Sequence, residues 1–149
     1  MPPCPEEPPV SEPLQSVAEI QAFCDQVPFN VWLGVRIVAA SATGVELEVP
    51  WRDEMMGSPT TRTAHGGILG AVLDATAGLS LLAAVGRVGP AIDLRIDFHR
   101  PLAGGGVRGR GRLLRAGNAI TSVEAFLYDF EDRLVASGRG VFFTQLRPS

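Results

Sequence analysis

Apolar and polar positions alternate along this chain with two different periods. Ser16 offers a helix N-cap, and Val17, Ile20, Phe23, Cys24 and Val27 recur at helical spacing as far as Pro28, which predicts one short amphipathic helix. From Val35 the period becomes two. Val35, Ile37 and Ala39, and then Val45, Leu47 and Val49 past a turn at Ala42-Thr43-Gly44, alternate with more polar neighbours. They read as a hairpin with one wet face. Residues 52–64, with Gly57, Pro59 and Ser58, Thr60, Thr61 and Thr63, read as an irregular connection.

Residues 66–85, GGILGAVLDATAGLSLLAAV, hold no proline and a single charge, Asp74. As a helix this stretch is about 30 Å long, enough to cross a small domain or a bilayer. The central Asp, the Gly and Thr content and the strands on either side favour a helix buried within one domain over a membrane span. Beyond it Ile92, Leu94, Ile96 and Phe98 alternate with Asp93, Arg95, Asp97 and His99 up to Pro101. Further strands are predicted over 107–114, 119–130 and 133–144. Hairpin-length connections between the last four strands make the sheet antiparallel. The expected fold is therefore α+β, with about six antiparallel strands wrapped around one long central helix and a short N-terminal helix. The expected organisation is a Pro-rich leader over 1–13, without the basic start or apolar run of a signal peptide, and a single domain over 14–149.

Composition narrows the function classes. Apolar residues make up 46% of the 149 positions and charged residues 19%, so the chain can build a packed core. A net charge of −3 argues against a nucleic-acid binder that works by neutralising phosphate. All basic residues are Arg, so Schiff-base lysines, Ser-Lys dyads and P-loops are out. Two Cys and two His are too few for a disulfide framework or a structural zinc site of usual spacing, and a reduced cytoplasmic setting is the default. The Gly-x-Gly-x-x-Gly pattern at 104–109 precedes a strand, not a helix, and makes no dinucleotide site.

Three features point to chemistry. Arg108, Arg110 and Arg112 share one face of a strand, either as a solvated sheet surface or as a cationic strip for a phosphorylated ligand. Gly66, Gly70, Asp74 and Gly78 recur every four residues and share one helical face. On that face Asp74 is either a carboxylate held by amides or an Arg, or a general base or nucleophile in a narrow cleft. His65-Gly66-Gly67 stands where the helix begins, and its unpartnered amides make either a glycine-requiring turn or an oxyanion hole.

His65-Gly66-Gly67, then Asp74 and Gly78 within one helix, then Ile92 to Pro101, resemble the hotdog-fold acyl-CoA thioesterases of the phenylacetate-pathway type. Leu33-Gly34-Val35, Phe98-His99-Arg100-Pro101 and Leu134-Val135-Ala136 extend the likeness over about residues 29–145. The resemblance implies a sheet wrapped round the helix like a bun, homodimers or homotetramers, and hydrolysis of an acyl-CoA at the dimer interface. It implies no metal and no cofactor apart from the coenzyme A of the substrate. It makes Asp74 the group that attacks the thioester or activates water, and the partner's Gly66 amide the one that polarises the carbonyl. His65 and Gly67 shape the helix start, while His99, Arg100, Arg115, Gly117 and Asn118 match positions that meet coenzyme A.

Three positions depart from the family pattern. Pro59 stands where many relatives carry Asn or Gln, and Gly78 and Ala91 stand where relatives carry Ser or Thr. The usual water-positioning hydroxyl is missing, with Ser58, Thr60, Thr61 and Thr63 as substitutes. A non-catalytic acyl-CoA carrier or sensor therefore stays open, followed by a hotdog hydratase or dehydratase.

Overall fold

The computed structural model describes residues 15–145, and the leader expected over 1–13 lies outside them. Helix α1 (Val17–Cys24) opens on a capping box, in which the Glu19 amide donates to Ser16 Oγ and the Ser16 amide to the Glu19 carboxylate. Helical structure does not stop at Pro28, as the periodicity suggested. Pro28 opens a second helix, α2 (Pro28–Leu33), because the N–H it lacks is one that no first-turn residue uses. Gly34, at φ 75°, closes α2 in the left-handed conformation and turns the chain into β1 (Arg36–Ser41).

β1 forms the expected hairpin with β2 (Gly44–Val49). The connection that follows is more ordered than expected. It contains a 3-10 turn over Asp53–Met55 and a small ribbon of β3 (Met56–Ser58) and β4 (Thr63–Ala64). Helix α3 (Gly66–Val85) spans the residues its composition predicts. β5 (Ala91–Phe98), β6 (Val107–Ala116), β7 (Ile120–Tyr128) and β8 (Leu134–Phe143) complete the main sheet.

That sheet is antiparallel throughout, in the order β1-β2-β6-β7-β8-β5. Here the structure corrects the expected hairpin between β5 and β6. β5 lies at one edge, beside β8, and residues 99–106 carry the chain across to β6, which pairs with β2.

The sheet curls around α3, twelve of whose twenty residues are buried. A helix apolar enough to span a bilayer thus spends its apolar surface on this chain's own strands. The helix comes closest to β6. Ser80 Oγ donates to the Thr76 carbonyl at 2.7 Å and accepts the Val45 amide at 3.2 Å, and a side chain at Gly111 would run into that hydroxyl. Gly109 meets Thr76 in the same way. The glycines of β6 thus admit the helix, while Arg108, Arg110 and Arg112 between them point to the outer face.

On that outer face the arginines are paired across strands. Arg108 reaches Asp132 at 2.7 Å and Glu48 at 3.7 Å, Arg110 reaches Glu46 at 3.1 Å, and Arg112 reaches Glu124 at 2.7 Å. Glu46 and Glu48 lie directly opposite Arg110 and Arg108, and Glu124 opposite Arg112. The strip is a solvated, charge-balanced sheet face, not an open cationic site.

Candidate active site

His65 is the N-cap of α3, and the small ribbon holds it there. Its amide donates to the Met55 carbonyl at 2.8 Å, and Gly57 lets β3 close against its backbone. The His65 ring then turns onto the helix: the Gly67 amide donates to Nδ1 at 2.8 Å. A ring nitrogen that accepts is unprotonated, so in this geometry the neutral ring carries its proton on Nε2. Of the two glycine amides at the helix start, that of Gly67 is therefore already engaged. The Gly66 amide has no acceptor among the described residues, and it lies where the helix dipole is positive.

A groove of about 330 Å³ fronts Gly66, lined by Thr63, Leu69, Phe98, His99, Arg100 and Leu102. Of the four loop hydroxyls, only that of Thr63 lines this groove, with Thr61 Oγ1 2.9 Å away. His99 Nε2 sits 2.8 Å from Ser137 Oγ, and Arg100 donates to the Leu134 carbonyl at 3.3 Å.

Asp74 lies two turns further along α3, in a second cleft of about 410 Å³. The glycine stripe around it is covered by side chains from β5 and its approach. A methyl group at Gly66 would lie 3.2 Å from Phe98, one at Gly70 2.9 Å from Ile96, and one at Gly78 3.8 Å from Val88. Phe23, Val27 and Phe29 from the N-terminal helices, with Leu79, Val88 and Phe142, make the cleft walls apolar. Asn30 of α2 is the one other polar side chain in the lining, and neither periodicity nor motif pointed to it.

The Asp74 carboxylate has no hydrogen bond or ion pair among the described residues, which removes the reading of a carboxylate held by amides or an Arg. It is open to solvent on one side, yet the apolar walls strip enough water from the other to push its pKa above the ordinary Asp range. Cys24 behaves in the opposite sense to a nucleophile. Burial, with a smaller push from Asp25, raises its thiol to about 11.

The sequence-derived site residues fall into separate groups. His65, Gly66, Gly67, His99 and Arg100 gather at the N-terminal end of α3. Arg115, Gly117 and Asn118 form the β6–β7 turn, where the Gly117 amide donates to the Ile120 carbonyl at 2.9 Å. Strand register puts that turn at the Ala91 end of β5, the far end from His99 and Arg100. Asp74 and Gly66, eight residues apart on one helix, are separated by about 12 Å. One chain therefore holds the Asp74 cleft and the groove at Gly66 apart.

Residues 62–136 match the thioesterase superfamily, and the chain belongs to it. The chain is 28% identical to the medium/long-chain acyl-CoA thioesterase YigI of Escherichia coli K12, over 82% of this chain and 88% of that protein. A solved protein from the thioesterase superfamily superposes with a TM-score of 0.84 at 32% identity, covering 87% of this chain and 98% of the other. A second, from Shewanella oneidensis and related to the same superfamily, gives 0.76 at 28%, covering 85% and 92%. The PaaI protein of the E. coli phenylacetic acid degradation operon shares the fold, with a TM-score of 0.73 at 20% identity over 85% and 94% of the two chains. The fold is thus the hotdog fold that the sequence motifs suggested.

Proposed function

We propose that this protein hydrolyses an acyl-CoA thioester at a site assembled from two copies of the chain. The observation that carries the reading is the pairing of opposites. Among the described residues Asp74 is an unpartnered carboxylate in an apolar cleft and Gly66 offers an unpartnered amide, and the two are too far apart on one helix to act on the same carbonyl. Acyl transfer needs a base or nucleophile on one side of the carbonyl and a donor to the developing oxyanion on the other. A second copy that turns its α3 the other way brings its Gly66 to this chain's Asp74.

In this reading Asp74 activates water or attacks the carbonyl carbon, and the partner's Gly66 amide, backed by its helix dipole, holds the oxyanion. When Asp74 activates water, the proton it takes passes to the departing coenzyme A thiolate; when it attacks, the thiolate leaves first and water then opens the acyl-aspartate anhydride, supplying the proton to the thiolate. Asn30, the other polar side chain of the cleft lining, whose side chain also reaches the Cys24 thiol, takes the place of the hydroxyls missing at Gly78 and Ala91 in orienting water. His65 keeps the helix start in shape through the Gly67 amide. His99 and Arg100 on one copy, and the Arg115–Asn118 turn on the other, meet the coenzyme A portion. The apolar walls from Phe23 to Phe142 favour a medium or long acyl chain, in line with the name of the E. coli relative. The reaction uses no metal and no bound cofactor, and a reduced cytoplasmic setting accords with the free, buried thiol of Cys24.

A panel of short, medium, long and aromatic acyl-CoAs, followed by thiol release with wild type beside Asp74→Asn, tests the proposal. Turnover that disappears in the variant supports it. The absence of hydroxyls at Gly78 and Ala91 favours one other reading, an acyl-CoA carrier, and tight calorimetric binding without thiol release from any substrate would establish that instead.

A further inference from the structure

Resting on the acyl-CoA reading above for the place of the thioester, we propose that Gly78 sets the acyl specificity of the Asp74 cleft. The carbon chain of the acyl group leaves Asp74 along α3 and crosses the space that Gly78 keeps free by having no side chain.

Helix α3 holds four glycines, and three of them have a reason in the packing. A methyl group at Gly66 would lie 3.2 Å from Phe98, one at Gly67 3.0 Å from His65 Nδ1, and one at Gly70 2.9 Å from Ile96. All three distances are tighter than a side-chain carbon normally keeps. Gly78 differs. A methyl group there has one neighbour within 4 Å among the described residues, Val88 at 3.8 Å, which is an ordinary van der Waals contact. The residue also sits inside the helix, where the backbone angles suit any side chain. Glycine in that place weakens a helix relative to alanine, because its backbone has more freedom to lose on folding. Within the described chain, then, neither packing nor backbone geometry asks for glycine at 78, and stability argues against it. What it provides is room. Gly78 is buried, so the room lies inside the molecule, in the cleft of about 410 Å³ that Asp74 also lines.

Position settles what that room is for. Residues four apart stand one above the other on a helix, so Gly78 lies about 6 Å beyond Asp74 on the same face. With the thioester carbonyl at the Asp74 carboxylate, the group that continues past Gly78 is either the acyl chain or the pantetheine arm of coenzyme A. The lining decides between them. Apart from Asp74 and Asn30, every side chain in it is apolar, Leu79, Val88 and Phe142 among them. The amides of a pantetheine arm would be buried there without partners, whereas a hydrocarbon chain gains from leaving water. The acyl chain therefore takes this path, and a side chain at 78 would obstruct it beyond the first few carbons. Gly78 admits medium and long acyl groups, and bulk in its place restricts the cleft to short ones.

Thioethers of coenzyme A have no carbonyl to hydrolyse, so they read the cleft without turnover. The probes are S-ethyl-CoA and S-dodecyl-CoA, titrated calorimetrically into wild type, Gly78→Ala and Gly78→Leu, beside thermal unfolding and sedimentation velocity of each protein. Wild type should bind the dodecyl probe more tightly. The ratio of dodecyl to ethyl affinity should fall by about 10-fold in Gly78→Ala and by up to about 200-fold in Gly78→Leu, the span over which methylene-sized changes act in an apolar pocket. Gly78→Ala should also unfold about 1–4 °C above wild type, since the helix gains and nothing is displaced. A wild type that does not prefer the dodecyl probe overturns the assignment, as does an unchanged ratio in the variants. So does a Gly78→Ala protein that melts lower or sediments as a smaller species, because glycine would then serve packing within the chain or between copies. If Gly78→Leu does not fold, Gly78→Ala decides alone. Thiol release from acyl-CoAs by the wild type is read separately. A ratio that falls as expected without any thiol release keeps the assignment of Gly78 and rejects the thioesterase, and thiol release with an unchanged ratio does the reverse.

Discussion

Two regions of this molecule carry charge against an apolar background, and they treat it oppositely. On the outer face of the sheet, Arg110 and Arg112 stand across from Glu46 and Glu124 at 3.1 and 2.7 Å, in water. In the cleft beside α3, Asp74 stands among Phe23, Phe29, Val88 and Phe142 with no counter-charge among the described residues. A paired, solvated arginine has little left to offer a ligand. An unpartnered carboxylate keeps its lone pairs free, and partial desolvation raises its proton affinity, which is what a base needs. Sequence gives both regions the look of a site. Pairing separates them, and the proposed function builds on the one that is left unpaired.

The largest expected effect is that of Asp74→Asn, a fall in thiol-release rate of about 10²–10⁴-fold, the usual contribution of a positioned base. For the wild type, the acidic limb of the pH–rate profile should lie above the ordinary Asp range, because desolvation raises this carboxyl. The same shift has a consequence for stability. With the folded pKa raised, the native state holds its proton to higher pH than the unfolded chain does. The Asp74 contribution to stability therefore falls as pH rises from the unfolded Asp range through the raised folded value, while Asp129 and Glu19, whose carboxyls are lowered, contribute in the opposite sense. Urea unfolding should show Asp74→Asn gaining stability relative to the wild type over that pH range and being as stable as the wild type or more so at neutral pH. A variant that instead loses stability there would make Asp74 a structural residue.

Gly111→Ala comes next. The added methyl meets Ser80 Oγ, which is fixed by the Thr76 carbonyl and the Val45 amide, so overpacking should cost about 1–3 kcal/mol in thermal unfolding. A neutral result would show that α3 is not held against β6 as closely as described. Smallest is Arg110→Ala, with about half of its side chain exposed: below about 1 kcal/mol, further reduced by salt, and no change in thiol release. A raised KM in this variant would restore the phosphate-binding reading of the strip.

Much of this was legible because it is local. The bounds of α3 follow from an uninterrupted apolar run between His65 and Gly86, and the positions of β7 from Val123, Ala125 and Leu127 in alternation. The misread stretches have local causes as well. Pro28 ends one helical pattern but suits the first turn of another, and the Ser/Thr-rich loop conceals a two-strand ribbon too short to show a period. The connection after β5 was misplaced because the length of a loop does not reveal which strand it leads to. Asn30 carried no signal, since a polar residue on a short helix looks like any solvated one until the fold puts it in the same cleft lining as Asp74.

By itself the sequence determined the elements, the hotdog resemblance, and the identity of Asp74 and Gly66 as the groups to examine. Caps, periods and glycine spacing act within a few residues, and they are written in order along the chain. Only tertiary structure decided that, among the described residues, Asp74 has no partner, His65 engages the Gly67 amide and leaves that of Gly66 without an acceptor, and β5 lies at the edge of the sheet. Those facts depend on contacts between residues far apart in the chain, such as Phe29 with the Asp74 cleft and β5 with β8. They are set by which surfaces the packed core covers and which it leaves open.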